Sequence, residues 1–290
     1  MRVFSRRFLS GLMTLSNMAL LWGCSTTAMT TAPQDPAAQL LTQSQIQFQQ
    51  GHTDRAIDMA SQAIILSPHS AEAWNSRGFL YHSHGQTNKA KQDFSEAIRL
   101  NPNQPLHHGN LGVVYLESGE YRKALETFND ALRVGPPSAL VLNHRGKTYR
   151  HLGQFDEALQ DFNAAAAMNK QDATIYANRA VVHALRQDFY LAKNDLDHAV
   201  KLNKSLPAVY QSRGLVAMLI GQFDGAEQDF SKAIEMGVSD QVLYYNRGVA
   251  RSMLGNRAGA LQDYDNSCRE GYVPACQFSK ILSQIPASSL

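Results

Sequence analysis

A period of 34 residues runs through this 290-residue chain and constrains its fold more than any other feature. A small residue recurs at that interval, an alanine follows it twelve positions later, and a bulky side chain follows the alanine four positions later. The three series are Gly78, Gly112, Gly146, Ala180, Gly214 and Gly248; Ala90, Ala124, Ala158, Ala192, Ala226 and Ala260; and Phe94, Phe128, Phe162, Leu196, Phe230 and Tyr264. Such a unit predicts two helices joined by a turn, which bury their apolar face by stacking on neighbouring units. We therefore expect an all-α repeat array.

The small residue is taken as the eighth position of each unit, and this choice sets the boundaries of the repeats. A degenerate unit is placed first, and Pro68 fits its last turn. Pro274 suits the first turn of a further helix, so residues 275–290 are expected to form a capping helix and tail over the end of one continuous array. The seven predicted units are 37–70 (degenerate), 71–104, 105–138, 139–172, 173–206, 207–240 and 241–274.

The residues of unit 71–104 resemble the tetratricopeptide repeat. The matching positions are Trp74, Gly78, Tyr81, Ala90, Phe94, Ala97 and Pro102, with Arg77 in place of the usual leucine. The resemblance extends over residues 37–274 and implies a right-handed superhelix of paired helices. It also implies a concave groove, lined by the first helix of each unit, that binds protein or peptide partners.

The N-terminus has the composition of an export signal. Three arginines precede an apolar stretch from Phe8 to Trp22, which is too short and too interrupted by polar residues to span a membrane. Residues 21–24, Leu-Trp-Gly-Cys, resemble the bacterial lipobox. This resemblance implies removal of residues 1–23, lipidation of Cys24 and attachment to the periplasmic face of the outer membrane of a Gram-negative bacterium. An ordinary signal with an incidental cysteine, and export by the twin-arginine route, are the alternatives.

Residues 24–36 contain small and polar residues with two prolines, which predicts a flexible tether. Removal of residues 1–23 leaves 24 Lys and Arg against 25 Asp and Glu, a net charge of −1. This balance gives no support for nucleic-acid binding, which needs a basic face.

Chemistry-bearing motifs are missing from the sequence. It contains no nucleophile elbow, phosphate-binding loop, dinucleotide-binding glycine pattern or zinc-protease motif, so we expect neither enzymatic activity nor a cofactor. Two pairs of histidines lie close together in the sequence, His82 with His84 and His107 with His108, and no acidic or thiol partner recurs near either pair. We interpret them as solvated or turn histidines and expect no metal site.

An arginine at the seventh position and an aspartate at the twenty-third occur together in five units. Unit 105–138 lacks both, with Leu111 and Thr127 in their places. Joint loss within one unit predicts a pair between the two helices of that unit, because pairing across units would leave Asp93 opposite Leu111. We expect these pairs to be structural: Arg77 with Asp93, Arg145 with Asp161, Arg179 with Asp195, Arg213 with Asp229, and Arg247 with Asp263.

Cys268 and Cys276 flank the turn between the last repeat and the predicted capping helix. Their spacing and placement resemble the disulfides of Sel1-type repeats, which implies a bridge that ties one helix end to the next helix. Two free buried thiols are the alternative.

The groove that the repeat resemblance implies is where a partner is expected to bind. Its acids, Glu72 and Glu117, lie in adjacent units, and neither has an evident partner for paired-carboxylate catalysis. The chaperone-type carboxylate clamp is not reproduced. The predicted partner-binding residues are Asn110, Asn143, His144, Lys147, Arg150, Asn178, Leu185, Leu215, Met218, Leu219, Tyr245, Asn246, Val249 and Met253.

Signal, lipobox and repeats together resemble outer-membrane lipoproteins of the NlpI type and, less closely, pilus-assembly lipoproteins of the PilF/PilW type. The first resemblance implies an adaptor for envelope proteases or peptidoglycan hydrolases, and the second a role in secretin assembly. Two other interpretations stay open: a self-assembling structural protein such as a homodimer, and a glycan-binding or enzyme-associated protein.

Overall fold

A computed structural model describes residues 35–284, which form fifteen α-helices and no strand. The predicted signal at 1–23, Cys24, most of the predicted tether and the last six residues lie outside the described residues. The helices are α1 (Pro36–Gln49), α2 (Thr53–Leu66), α3 (Ala71–Ser83), α4 (Thr87–Leu100), α5 (Pro105–Glu117), α6 (Tyr121–Val134), α7 (Ala139–His151), α8 (Phe155–Met168), α9 (Ala173–Leu185), α10 (Phe189–Leu202), α11 (Pro207–Leu219), α12 (Phe223–Glu235), α13 (Gln241–Met253), α14 (Arg257–Arg269) and α15 (Val273–Gln284).

Each repeat consists of a first helix and a second helix joined by a three-residue turn. In the turn after α3, Gly85 has a φ of +76°, and the next amide, of Gln86, donates to the carbonyl of Tyr81 at 2.8 Å. This is a Schellman ending, which needs a residue in the left-handed region. Unit 173–206 makes the same turn with Gln187, at a φ of +66°. A side chain can take this conformation, but with a conformational cost that glycine avoids.

The described residues divide into two compact units, 35–168 with α1–α8 and 169–284 with α9–α15. One continuous array was expected from the unbroken period. A period predicts which neighbours stack, because each repeat contacts only the adjacent ones, but it does not set how far the array acts as one body. The two units are described separately below.

In residues 35–168, the core lies between the first and second helices of each repeat. Phe79, Phe94, Phe128 and Phe162 are fully buried, as are the alanines that recur with the period. A Cβ atom added to Gly112 would lie 2.6 Å from the ring of Phe128. The absence of a side chain at the eighth position therefore lets the two helices of a repeat approach until the aromatic ring contacts the backbone.

Residues 169–284 have the same core with one informative exception. A Cβ at Gly214 would lie 2.6 Å from the ring of Phe230. Ala180 takes the eighth position in unit 173–206, and the twenty-fourth residue there is Leu196 instead of an aromatic. Both residues are buried in one core cluster. Where Ala180 adds a methyl group to the eighth position, the twenty-fourth position has Leu196, which is smaller than phenylalanine. This exchange indicates that the space shared by the two side chains is limited.

The capping helix α15 begins one residue before Pro274 and packs on the last repeat through Ala275 and Phe278. A disulfide joins Cys268 near the end of α14 to Cys276 in α15, as the Sel1-type resemblance implied. The helix leaves Val273, Phe278 and Ile281 at least partly exposed, whereas a terminal cap usually has a polar outer face. No helix between residues 35 and 284 has the length and apolarity that crossing a bilayer requires.

The contact between the eighth and twenty-fourth positions can be tested in unit 207–240. We expect Gly214→Ala to lower the free energy of unfolding by about 1–3 kcal/mol, because the new methyl group overpacks Phe230. Gly225→Ala is the matched control, since its added Cβ meets only Ala217 at 4.0 Å; higher helix propensity should there leave stability unchanged or raise it by up to about 1 kcal/mol. Urea unfolding of both variants measures the difference.

Adding Phe230→Leu to Gly214→Ala recreates the pair found at Ala180 and Leu196. This double variant should be more stable than the sum of the two single changes predicts, since the smaller side chain makes room for the methyl group. Strict additivity would contradict the proposed limit on volume.

Candidate functional site

The arginines at the seventh position join the two helices of their own repeat. Arg77 Nε donates to Asp93 Oδ2 at 2.7 Å and its Nη2 donates to Oδ1 at 2.9 Å. The same bidentate geometry recurs in the other four predicted pairs. The structure thus has the pairing within repeats that the joint loss in unit 105–138 predicted.

The third nitrogen of three of these arginines makes a contact that sequence reasoning missed. The Nη1 atoms of Arg77 and Arg247 donate to Ser61 and Ser231, at 3.3 and 3.2 Å, and that of Arg145 donates to Asn129 at 2.8 Å. Each acceptor is the twenty-fifth residue of the preceding repeat. A polar residue recurs at that position along the chain, and this signal could have found the contact.

Unit 105–138 shows what replaces the pair. Leu111 is buried in the core cluster around Phe79 and Phe94. Thr127 Oγ1 donates to the carbonyl of Lys123 within its own helix. Ser95, which would have accepted from an arginine, donates to the carbonyl of Lys91 instead. The hydroxyl groups of Thr127 and Ser95 therefore have partners within their own helices where the Arg–Asp pair is missing. In the other units the ladder of Arg–Asp pairs joins the two helices of a repeat, which is a structural role.

Neighbouring first helices of each compact unit contact one another, and we call the surface they form the A-helix face. In residues 35–168 it comprises α1, α3, α5 and α7; in residues 169–284 it comprises α9, α11 and α13. This face carries all of the predicted partner-binding residues.

Three of those residues are buried, which corrects the prediction that they contact a partner. Asn110 has no exposed surface and its Nδ2 donates to Asn75 Oδ1 at 2.8 Å. Asn143 is 4% exposed. His144 is 5% exposed and stacks on Phe128 at a centroid distance of 6.0 Å. A periodic position on a helix identifies its face, but these side chains are covered where neighbouring helices meet.

The rest of the A-helix face of residues 35–168 is polar. His82 from α3 lies with its Nε2 atom 3.2 Å from Glu117 Oε2 of α5, which gives this acid a partner that the sequence did not indicate. Lys147 and Arg150 are half-buried on α7. His151, which ends α7, stacks on Tyr121 at a centroid distance of 4.6 Å.

Electrostatics within this face differ from those of the ladder. Burial lowers the pKa of Lys147, the charge of Arg150 lowers it further, and Glu117 opposes both. Burial also lowers the pKa of Arg150. For Glu117, burial raises the pKa, but the hydrogen bond and charge of His82 with the charge of Lys147 outweigh it and hold the pKa below its usual value. Burial, followed by the charge of Lys147, lowers the pKa of His144 to about 3.

Two of the other histidines singled out in the sequence lie in the interior. His107 and His108 are buried instead of solvated, which corrects their interpretation. His108 Nε2 lies 2.8 Å from the carbonyl of Pro102, where Trp74 makes the equivalent bond to Pro68 in the preceding unit. Across residues 35–284, no three His, Cys, Asp or Glu side chains are grouped to hold a metal ion.

The A-helix face of residues 169–284 is apolar at the helix ends. Leu185, Leu219 and Met253 hold the thirteenth position of three successive repeats and are 36%, 47% and 60% exposed. The thirteenth residues of units 71–104, 105–138 and 139–172 are Ser83, Glu117 and His151. We call the first three residues the apolar row.

The remaining predicted residues of this face are half-buried. Leu215 and Met218 pack against the core cluster around Phe230, and Tyr245 and Val249 pack against the one around Tyr264. Met218 is therefore part of the packing of its repeat. The two half-buried amides of the set are Asn178 and Asn246.

Models of the tetratricopeptide repeat match three segments of the chain, residues 71–104, 110–173 and 143–200. The chain contains tetratricopeptide repeats. These repeats account for the helix pairs and for the period, and no catalytic family is among the matched models. Comparison with curated proteins finds no match.

Solved structures support the tetratricopeptide-repeat fold. A tetratricopeptide repeat protein from Parabacteroides merdae is 19% identical with a TM-score of 0.71, and the alignment covers 86% of this chain and 99% of that one. The Cut9–Hcn1 complex of the APC/C is 15% identical over 87% of this chain and 49% of that one, with a TM-score of 0.65. MamA from Desulfovibrio magneticus is 18% identical over 60% of this chain and 98% of that one, with a TM-score of 0.54. At these identities the likeness concerns the fold alone.

The Arg–Asp ladder of these tetratricopeptide repeats should behave as coupled pairs. Arg213 is the best test, because within residues 35–284 its hydrogen bonds go to Asp229 alone, at 2.8 and 2.6 Å. In a double-mutant cycle of Arg213→Ala and Asp229→Ala, we expect the double change to cost about 1 kcal/mol less than the sum of the single changes. The coupling is kept small because the Arg213 side chain is 42% exposed and solvent screens the pair. Chemical unfolding measures it, and additive stabilities would show that the pair does not interact.

Proposed function

We propose that this chain is a lipid-anchored periplasmic adaptor that binds a protein partner on the A-helix face of its repeats. The apolar row carries the proposal. Leu185, Leu219 and Met253 repeat at the same position of three helices and are exposed to water. Leucine and methionine side chains in such a row supply adaptable apolar contact to a partner.

The apolar row differs from scattered surface residues in its regularity. Single exposed apolar residues are common on proteins and need no explanation. Exposed apolar residues at equivalent positions of neighbouring first helices recur on one side of the repeats, and apolar residues grouped in this way are typical of a binding surface. Ile220 and Leu254, which follow Leu219 and Met253 in the turns, are also exposed.

The cellular setting of the proposal rests on the N-terminal sequence. The basic start, the short apolar stretch and the lipobox-like residues 21–24 support export and lipidation of Cys24. By resemblance to the NlpI type, the adaptor would serve envelope proteases or peptidoglycan hydrolases at the outer membrane. By resemblance to the PilF/PilW type, it would serve secretin assembly, and this is the second candidate.

Lipidation is tested at one sulfur atom. We expect the wild-type protein to incorporate labelled palmitate and to fractionate with membranes. Cys24→Ala should abolish the incorporation and release the protein from the outer membrane, because the modified atom is missing. Label in the Cys24→Ala protein, or outer-membrane retention without label, would contradict the anchor.

Partner binding is tested in the apolar row. A photo-crosslinking amino acid at position 219 should give a crosslinked product of defined mass in living cells. Position 65 is the matched control, because Ile65 is 77% exposed on α2 outside the A-helix face and should give none. Leu219→Glu should abolish crosslinking from position 253 without lowering the melting temperature, because an exposed charge costs little.

A crosslink from position 65 equal to that from position 219 would place partner binding outside the apolar row. Crosslinks between two copies of this chain would favour the self-assembling alternative. Met218 is not used for this test, since its packing against the core would mix binding with stability.

A further inference from the structure

The junction between units 173–206 and 207–240 is packed unlike the next junction along the chain. At this junction the first helices α9 and α11 lie closely against each other, and the second helix α10 has little contact with α11. At the next junction, between units 207–240 and 241–274, the second helix α12 packs on α13, and the first helices α11 and α13 touch only lightly. Both junctions lie within the compact unit of residues 169–284, so the difference is internal to that unit.

Small side chains of α9 allow the close approach of α11. Ala177, Val181 and Ala184 hold the fifth, ninth and twelfth positions of their repeat, and all three are buried, at 1–4% exposed. They share core clusters with Val209 and Val216 of α11. In α11 itself, the same three positions are half-buried. The contact between α9 and α11 therefore covers a part of the A-helix face that is accessible one repeat later.

A polar contact that holds the next junction is not made at this one. At the next junction, Arg247 Nη1 donates to Ser231, the twenty-fifth residue of the preceding repeat, at 3.2 Å. The corresponding residues here are Arg213 and Asp197. Within residues 35–284, the hydrogen bonds of Arg213 stay within its own repeat, and Asp197 binds Lys193 at 2.8 Å. The Arg213 side chain is accordingly 42% exposed, whereas that of Arg247 is 13% exposed.

The start of α10 is exposed as well. Phe189 holds the seventeenth position of its repeat and is 45% exposed. Tyr121 and Phe223 hold this position at junctions where the second helix packs on the following first helix, and both are half-buried. Tyr121 stacks there on His151, at the end of the following first helix. Phe189 therefore lacks the cover that this packing gives to the other two aromatic side chains.

We propose that the junction between units 173–206 and 207–240 exchanges between two packings. In the first-helix packing, which the structure has, α9 lies on α11. In the second-helix packing, α10 moves onto α11 as α12 lies on α13, Arg213 donates to Asp197, and Phe189 is covered. Each packing buries apolar side chains that the other leaves exposed, so the gains and losses offset each other. Packed interfaces of this kind change between discrete arrangements.

The exchange regulates the apolar row, and this consequence rests on the proposed function. Leu185 ends α9 and Leu219 ends α11. The first-helix packing holds these two helices together, and the second-helix packing separates them. A partner that contacts both leucines has a different affinity for each packing, so its binding shifts the balance between the two.

The test measures distances between spin labels on introduced cysteines, by double electron–electron resonance on the full chain in detergent. One label pair replaces Tyr190 and Asp224, the exposed eighteenth residues of α10 and α12. The reference pair replaces Asp224 and Ala258, the equivalent residues at the next junction. We expect two distances for the first pair, the shorter one similar to the single distance of the reference pair. Wild-type protein treated with the same label gives the background from the native cysteines.

Two variants of Asp197 test the contact that the second-helix packing forms. Asp197→Ala should lower the ratio of the shorter to the longer distance about three-fold, as the loss of a solvent-screened charge pair implies. Asp197→Asn is the matched control and should keep the ratio, since Asn129 accepts the equivalent hydrogen bond from Arg145. The Asp197 side chain is 54% exposed, so neither change disturbs the core.

A third variant acts on the other packing. Ala184→Leu should raise the ratio about three-fold or more, because a leucine overpacks the contact between α9 and α11 and disfavours the first-helix packing. Leucine is compatible with this position of a repeat, since Leu116 holds it in α5.

Four results would overturn the inference. They are a single distance for the first label pair, two distances for the reference pair as well, a ratio that Asp197→Ala leaves unchanged, and a ratio that Asp197→Asn lowers as much as Asp197→Ala does. The distances are measured without a partner, whereas crosslinking from position 219 needs one. Failure of this inference and failure of the proposed function are therefore distinguishable.

Discussion

The close contact between the eighth and twenty-fourth residues of a repeat sets the geometry on which the rest of the structure depends. With no side chain at Gly112 or Gly214, the aromatic ring of the second helix lies against the backbone of the first. The distance between the two helices is then short enough for the seventh-position arginine to reach its aspartate with two parallel hydrogen bonds. The apolar contact thus sets a helix spacing at which a pair forms where the arginine and the aspartate are both present.

The fold could be predicted in detail because its information is local and repeated. The period placed the helix pairs, and the joint absence of the pair at Leu111 and Thr127 was enough to assign the Arg–Asp partners within repeats. The contact from Arg145 to Asn129 was missed, because one arginine has more donors than its obvious partner uses. The period does not delimit the compact units 35–168 and 169–284, since nearest-neighbour stacking does not encode the extent of a compact unit.

The candidate site was predictable only to the level of a helix face. Position in the repeat correctly placed Lys147, Arg150 and Leu219 on the first helices, but it also selected Asn110, whose amide is used by Asn75 of the adjacent first helix. Whether a polar side chain is free or paired depends on the residue that the next repeat places beside it. The position of a residue within its own repeat does not show which residue of the next repeat lies beside it.

The hydrogen bond from a seventh-position arginine to the twenty-fifth residue of the preceding repeat, made by Arg77, Arg145 and Arg247, makes these junctions alike. Arg77 with Ser61 and Arg247 with Ser231 use the same donor and the same acceptor type at distant points of the chain. A whole unit of 34 residues that is duplicated or deleted in register brings both halves of such a junction with it. An insertion of any other length separates donor from acceptor. The chain can therefore lengthen or shorten its binding surface by gene duplication in steps of one repeat, without inventing a new interface each time.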